Sequence, residues 1–351
     1  NGPSTGKDKR VDRYYAATCQ TNLPNPTDMA GIHRNVGRML EMARFAVLDY
    51  EPLFSVKLVV FPEFAQVAPV FGTVEELHDR LAVPVPNEFT DRYWEVAKEL
   101  GIYIQTSSFL ERDDKYPGHV FNTTCLIGPS GILLKYRKVH PWIPGEWQTS
   151  PHDLPGYSEP FFPVAETEIG KIGVAICYDW LFPEAIRQLA LGGAEILIRV
   201  SAYMDPWGTA SPMEWWTLIN RVRAIENLAY VVACNQGASL RNYSPYSWPG
   251  GSMIVDFDGR ILAQAEPGAG ERIVVGPIDL AALRYERQRR RSHFMLGHLR
   301  MEAYGGYQKS IYPQGTFPHP PGVRDIEQAI ETGRRRWQRV AGDRAGNDQI
   351  A

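Results

Sequence analysis

The chain has 351 residues, 44% of them hydrophobic and 22% charged, proportions that support a sizeable packed core and exclude wholesale disorder. A formal net charge of -3 lacks the concentrated basic field that a nucleic-acid partner requires, and no stretch approaches the roughly 20 apolar residues of a membrane span. Four cysteines, Cys19, Cys125, Cys177 and Cys234, stand far apart without close Cys or His companions, so no disulfide framework, metal or other cofactor is expected.

The start, 1–10, is polar and lacks the apolar segment of a signal peptide, which makes a reducing cytoplasm the expected setting. Residues 14–21 read as a strand, followed by a helix on which Ile32, Val36, Leu40, Ala43 and Val47 recur at helical spacing. The almost wholly apolar run 56–61 is stopped by Pro62 and fits a strand buried on both faces; Glu63 stands at its end. A second helix is predicted over 87–100, capped by Asn87 and stopped by Gly101, before a strand over 102–110.

Residues 121–127 and 132–136 flank the turn Gly128-Pro129-Ser130-Gly131, a hairpin that delivers the chain to Lys138. A proline-rich loop over 141–163 leads to a strand over 171–176, and Pro183 sits where the first turn of a helix ending near Gly192 tolerates it. Further strands are predicted at 195–200 and 230–235, a helix at 212–227, and a hairpin over 252–265 turning at Asp258-Gly259. Alternating strands and helices in two blocks indicate a layered α/β protein whose sheets are covered by helices. After Ile278 the chain becomes polar, and the runs Arg289-Arg290-Arg291 and Arg334-Arg335-Arg336 read as solvated or ion-paired helix faces. The triplets Asn122-Thr123-Thr124 and Asn242-Tyr243-Ser244 match the glycosylation pattern and, without a secretory signal, read as chance.

Cys177 follows an apolar strand and precedes a helical turn, in Gly173-Val174-Ala175-Ile176-Cys177-Tyr178-Asp179-Trp180. A buried cysteine is ordinarily a small hydrophobe. On a strand-to-helix turn, however, its side chain reaches the sheet edge, and the backbone N–H groups that begin the next helix can stabilise a thiolate and an oxyanion. Taken singly, Glu63 in Phe61-Pro62-Glu63-Phe64 and Lys138 in Lys135-Tyr136-Arg137-Lys138-Val139-His140-Pro141-Trp142 would read as surface charges.

Together these three segments resemble the Glu–Lys–Cys signature of the nitrilase superfamily over most of residues 14–280. Within it the chain is similar to the aliphatic amidase and formamidase branch: Pro141-Trp142 follows Arg137-Lys138, and Glu146 stands eight positions after Lys138. The run Gly193-Ala194-Glu195-Ile196-Leu197-Ile198-Arg199, continuing to Ala202-Tyr203-Met204, is similar to the segment after the nucleophile in that branch. The resemblance implies a four-layer αββα sandwich with an extended C-terminal tail, a hydrolase domain over 10–299, and an extension over 300–351 that wraps the body or a partner subunit. It implies Cys177 as nucleophile, Glu63 as base and Lys138 as oxyanion stabiliser, with Glu146 orienting Lys138 and the amide.

Phe64, Trp142, Tyr178 and Tyr203 are the implied substrate-binding residues; Phe64 stands where the branch carries tyrosine, so one polar contact is expected to be missing. His140 reads as a structural histidine, since the triad already supplies a base. The expected activity is hydrolysis of a small primary carboxamide through a cysteine acyl-enzyme. The alternatives are an N-carbamoyl amide hydrolase, for which Arg199 or Arg241 would supply a carboxylate-binding cation, a nitrilase, or a non-catalytic binding module on the same fold. A homodimer or larger homo-oligomer is expected, its interface formed by the helices after Cys177 and after Ala202; the apolar residues Ala185, Ile186, Leu189, Ala190 and Leu191 motivate it.

Overall fold

The computed structural model describes residues 10–142, 146–204, 214–237, 248–266, 268, 270–308, 334–335 and 337–338. Arg241, Pro212 and most of the expected extension lie outside these residues.

Two β-sheets form the centre. The first has the order β13-β1-β2-β3-β5-β4, with β6 paired to β5; the second runs β12-β11-β10-β9-β8-β7. In the first sheet, β1 (Arg13–Gln20), β2 (Val56–Val60) and β3 (Tyr103–Gln105) are parallel neighbours. The hairpin β5 (Phe121–Gly128) and β6 (Gly131–Arg137) continues it antiparallel, with β4 (Phe109–Glu111) on the other side of β5. In the second, β8 (Gly170–Ile176), β9 (Ile196–Ser201) and β10 (Tyr230–Asn235) are parallel. The short β7 (Val164–Thr167) flanks β8, and β11 (Met253–Val255) and β12 (Ile261–Gln264) extend the sheet beyond β10.

Strand alternation sorts the core into layers. On β1, β2 and the residue after β2, Tyr14, Ala16, Leu58 and Val60 pack with the second sheet's residues, whereas Ala17, Cys19, Val59 and Phe61 pack with Val36, Met39 and Ala43 of α1 (Met29–Leu48) and with Tyr93 and Val96 of α3 (Glu88–Leu100). Ile186 and Leu189 of α4 (Pro183–Leu191) and Trp216 and Ala224 of α5 (Trp215–Asn227) cover the far side of the second sheet. The result is helix, sheet, sheet, helix.

The helix ends follow their sequence signals. Asp28 accepts from the Gly31 amide at 2.7 Å to start α1, a cap worth about 1 kcal/mol. Asn87 and Thr90 form a capping box on α3, and Gly101, at φ 62°, ends it in the left-handed region. Gly173 on β8 has another reason: a Cβ there would meet Leu189 Cβ at 3.0 Å, so the glycine lets α4 lie close to the strand that carries Cys177.

Several elements differ from the sequence expectation. The strand over 102–110 is two strands, β3 and β4, broken where Ser108 Oγ accepts from the Phe64 amide at 2.9 Å and Ser107 Oγ from the Ala65 amide at 3.0 Å. A short helix α2 (Val74–Arg80) and the strand β7 were not expected. Residues 272–289 are ordered as β13 (Arg272–Asp279), antiparallel to β1, and α6 (Leu280–Arg289). Arg290, after α6, pairs with Asp258 at 2.7 Å and Glu286 at 3.1 Å, the ion-paired reading of that basic run. On α4, Ala185, Ile186, Leu189 and Ala190 are buried within the chain and only Leu191 is exposed, so the stripe that motivated an interface is consumed by its own sheet. Among the described residues no helix is long and apolar enough to cross a membrane.

Candidate active site

The ends of β2, β6, β8 and β9 bring the chemistry together. Glu63, just past β2, is fully buried. Its Oε1 accepts from Lys138 Nζ and Asn122 Nδ2, both at 2.8 Å, and its Oε2 accepts from the Ala202 amide at 2.9 Å. Lys138, the residue after β6, also donates to Glu146 Oε1 at 2.6 Å, so one ammonium bridges two carboxylates. Burial would push the Lys138 pKa down, but Glu146, Glu63 and Cys177 more than offset this and hold it above its ordinary value.

Glu146 is held in turn by Trp142, whose amide donates to its Oε2 at 3.2 Å. Burial pushes the Glu146 pKa up to about 7, with Lys138 pulling it down and Glu63 adding to the rise.

Cys177 opens a tight helical turn, Cys177–Leu181, at φ 45°. A non-glycine residue there carries roughly 1–3 kcal/mol of strain, which persists only where surrounding contacts enforce it. Phe64, next to Glu63, has φ 57°, so a left-handed residue stands at each of the two turns. Cys177 keeps 8% of its surface exposed, whereas Cys19, Cys125 and Cys234 have none. Its thiol is pushed up to about 12, by burial first and then by Glu63, with Lys138 opposing, Glu146 adding and the Ser201 hydroxyl opposing. The resting sulfur is therefore protonated, and attack requires a base.

Phe64 follows Glu63, Trp142 lies on the loop that holds Glu146, Tyr178 follows Cys177 and Tyr203 stands after β9. Phe64 packs with Ala68, Ala202 and Trp248 as an apolar wall. Tyr203, on the turn after β9, is fixed by Asn235, which accepts from its amide at 2.7 Å and donates to its carbonyl at 3.2 Å. Tyr178 follows Cys177 with its ring edge-on to Phe182 at 5.2 Å, and its phenol feels the Lys138 charge.

Other residues build the site without having been singled out. Asp179 is fully buried and accepts from the Tyr136 hydroxyl (2.7 Å), the Ile176 amide (3.0 Å), the His140 amide (2.9 Å) and His140 Nδ1 (2.8 Å), with the ring proton assigned to Nδ1. It ties the Lys138 loop to the Cys177 turn and gives His140 its structural bond. Asn122, part of a chance-like sequence triplet, holds Glu63, and Gln236 Nε2 donates to the Glu63 carbonyl at 2.8 Å. These short polar side chains carry no pattern of their own; only the pairing of β5 and β6 and the end of β10 show what they reach.

Arg199, one of the two candidate carboxylate-binding cations, is fully buried, donates to Asn220 Oδ1 at 2.9 Å and lies among aromatic rings. It does not present an open cation. Among the described residues no group of three or more His, Cys, Asp or Glu is arranged to hold a metal ion.

The chain is similar to known proteins in sequence and in fold. The family model described as carbon–nitrogen hydrolase matches residues 15–288. A formamidase of Bacillus cereus (strain Q1) is 31% identical over 266 residues, covering 75% of this chain and 73% of the relative. A formamidase of Bacillus anthracis is 30% identical with the same coverage. Among solved structures, Nit3 of Saccharomyces cerevisiae, described as a member of branch 10 of the nitrilase superfamily, is 25% identical with a TM-score of 0.66, covering 82% of this chain and all (100%) of that one. An amidase from Nesterenkonia sp. is 20% identical with a TM-score of 0.58, covering 84% and 100%, and shares the fold.

Proposed function

Because the chain belongs to the carbon–nitrogen hydrolase family and is a hydrolase with the nitrilase-superfamily sandwich, we propose that it converts a small primary carboxamide to the carboxylate and ammonia through a thioester on Cys177. The observation that carries this reading is the buried Glu63–Lys138–Glu146 linkage, at 2.8 and 2.6 Å, whose charges act on a thiol held at a left-handed turn. The formamidase relatives support the amide as substrate.

An amide carbonyl is a poor electrophile and a protonated thiol a poor nucleophile, so both must be activated together. Glu63 takes the Cys177 proton as the sulfur bonds to the carbonyl carbon. The oxygen that gains negative charge is met by the Lys138 ammonium and the Tyr178 backbone N–H, donors already fixed before reaction. Glu63 then returns the proton to the amide nitrogen, the C–N bond breaks and ammonia leaves. Water, losing a proton to Glu63, attacks the thioester; collapse releases the carboxylate and restores the thiol. Glu146 keeps Lys138 aimed and offers its outer oxygen to the substrate NH2 group. Phe64, Ala202 and Trp248 supply an apolar wall suited to a small acyl group.

Ammonia release is measured with a short primary amide, an N-carbamoyl amino acid and a nitrile. The proposal expects the amide to be turned over with the highest kcat/KM; a preference for either of the others would replace it with that chemistry.

A further inference from the structure

The two side-chain oxygens of Glu63 are not equivalent. Oε1 accepts from Lys138 Nζ and from Asn122 Nδ2, both at 2.8 Å, whereas among the described residues Oε2 accepts from the Ala202 amide alone, at 2.9 Å. An ionised carboxylate offers about two lone-pair directions on each oxygen. Oε1 is therefore filled, and the direction left for a proton is on Oε2.

The donors also come from different sheets. Asn122 lies on β5 and Lys138 follows β6, both in the first sheet, while Ala202 follows β9 in the second. On β9, Val200 stands opposite Ile176, the residue before Cys177, so the Ala202 end of that strand runs beside the nucleophile turn. Oε1 is bonded to the hairpin of the first sheet, and Oε2 to the sheet that carries Cys177.

Asn122 acts through two separate groups. Its backbone carbonyl accepts from the Lys138 amide at 2.8 Å, and its buried side chain donates to Oε1. The carboxylate assigns the orientation of that amide, since the opposite flip would set Oδ1 against Glu63 Oε1. A change of side chain leaves the backbone bond to Lys138 available, so what it alters at the site is the occupancy of Oε1.

Glu63 has to take the thiol proton and then give it back to the amide nitrogen. A proton on Oε1 would have to displace a bond strengthened by the negative charge, and every donor to a carboxylate favours the ionised form, the one that has given its proton up. We propose that Asn122 is a positioning residue that keeps Glu63 Oε1 occupied, so that the Cys177 proton is taken on Oε2 and returned from there to the leaving nitrogen. In the first step the S–H bond breaks and an O–H bond forms on Oε2; in the second that O–H breaks, N–H forms and the C–N bond is cleaved. The proposal deepens the reading of Cys177 as nucleophile and Glu63 as base, and rests on it.

The test uses rapid mixing of the full chain with a short primary amide and with an aryl ester of the same acyl group, whose leaving group departs without a proton. The parent is compared with Asn122→Leu, which keeps the branched shape and removes the donor, and with Asn122→Asp, which keeps the shape and turns the donor into an acceptor. In Asn122→Leu, kcat on the amide falls about tenfold to hundredfold, the size of one lost bond to a charged group, with KM within about threefold; the ester's acylation burst stays within about threefold of the parent, because only the taking of the proton is needed. In Asn122→Asp the two facing carboxylates share a proton at Oε1, and amide and ester both lose at least about tenfold. A folded Asn122→Leu protein with the parent's kcat on the amide, or with equal losses on amide and ester, overturns the proposal, as does a folded Asn122→Asp protein with the parent's rates. An ester burst in the parent that leaves no acyl group on Cys177 would instead remove the nucleophile assignment beneath it.

Discussion

In Glu63→Gln the side chain keeps its length and planarity but exchanges one carboxylate oxygen for an NH2 group. All three side-chain partners of Glu63 are donors: Lys138 Nζ and Asn122 Nδ2 on Oε1 at 2.8 Å, and the Ala202 amide on Oε2 at 2.9 Å. The amide keeps most bonds by turning its oxygen to Lys138 and Asn122, which sets its NH2 against the Ala202 N–H. Two buried donors, the NH2 group and the Ala202 N–H, then face each other, at a cost of about 1–3 kcal/mol for each left unsatisfied. Lys138 loses one counter-charge and keeps the other, Glu146 at 2.6 Å, so the protein is expected to fold with a lower melting temperature. Catalysis suffers more, because the base is gone while burial, the largest cause of the raised Cys177 pKa, remains. The expected loss in kcat is about 10²–10⁴-fold, or about 3–5 kcal/mol on the barrier. Ammonia release at saturating amide, alongside a melting curve, reads both effects. A folded variant within a few-fold of the parent rate would refute the base assignment.

Glu146 gives the pH dependence its sign. Its pKa is raised to about 7, so it takes a proton as pH falls through that value and loosens Lys138; kcat/KM is expected to drop on this acid limb, and Glu146→Gln to flatten it at a lower overall rate. The raised value also means that the folded state holds this proton more tightly than the unfolded one, so parent stability should fall as pH rises toward about 7 relative to Glu146→Gln. An unchanged acid limb in the variant would point to another group. Asp179→Asn sets an NH2 group among the four donors that Asp179 now accepts; a stability loss of about 1–3 kcal/mol with a larger fall in kcat is expected, and a full-rate variant would show that the two loops need no tie. We also propose a homodimer or larger assembly that covers Trp215, Leu218 and Ile225 of α5, all exposed in the single chain; light scattering during size-exclusion chromatography should give at least twice the chain mass, and a fully active single-chain species would contradict it.

The elements that the sequence predicts well are those whose partners impose a pattern on them. The apolar run of β2 and the helical spacing on α1 correspond to strands buried on two faces and a helix buried on one. β13 was invisible because its burial alternates weakly and its partner, β1, lies at the other end of the domain. α6 is arginine-rich and buries only Leu280 and Leu283, too little for a periodic signal. The break between β3 and β4 has a cause outside the local sequence, since Ser107 and Ser108 leave the strand to hold the backbone after Glu63.

The same division runs through the candidate site. Glu63, Lys138, Glu146 and Cys177 were legible as a set only through the resemblance of their segments to a family signature, since Glu63 and Lys138 read singly as surface charges; the structure brings Glu63, Lys138 and Glu146 into direct contact. Asn122 and Asp179 stood inside quoted segments yet gave no separate signal, because what marks them is a bond to a residue 59 or 39 positions away. Arg199 was noticed for its charge, and the structure buries that cation among the rings of Trp180, Tyr203 and Trp216.

The central claim is a covalent intermediate on one cysteine, and acid-quenching the enzyme during turnover of a short primary amide, followed by peptide mass analysis, tests it most directly. The account predicts a mass increase equal to the acyl group on the Cys177 peptide, none on the peptides of Cys19, Cys125 or Cys234, and neither adduct nor ammonia from Cys177→Ala. Sustained turnover by a folded Cys177→Ala protein, or an acyl group found on another residue, would contradict it.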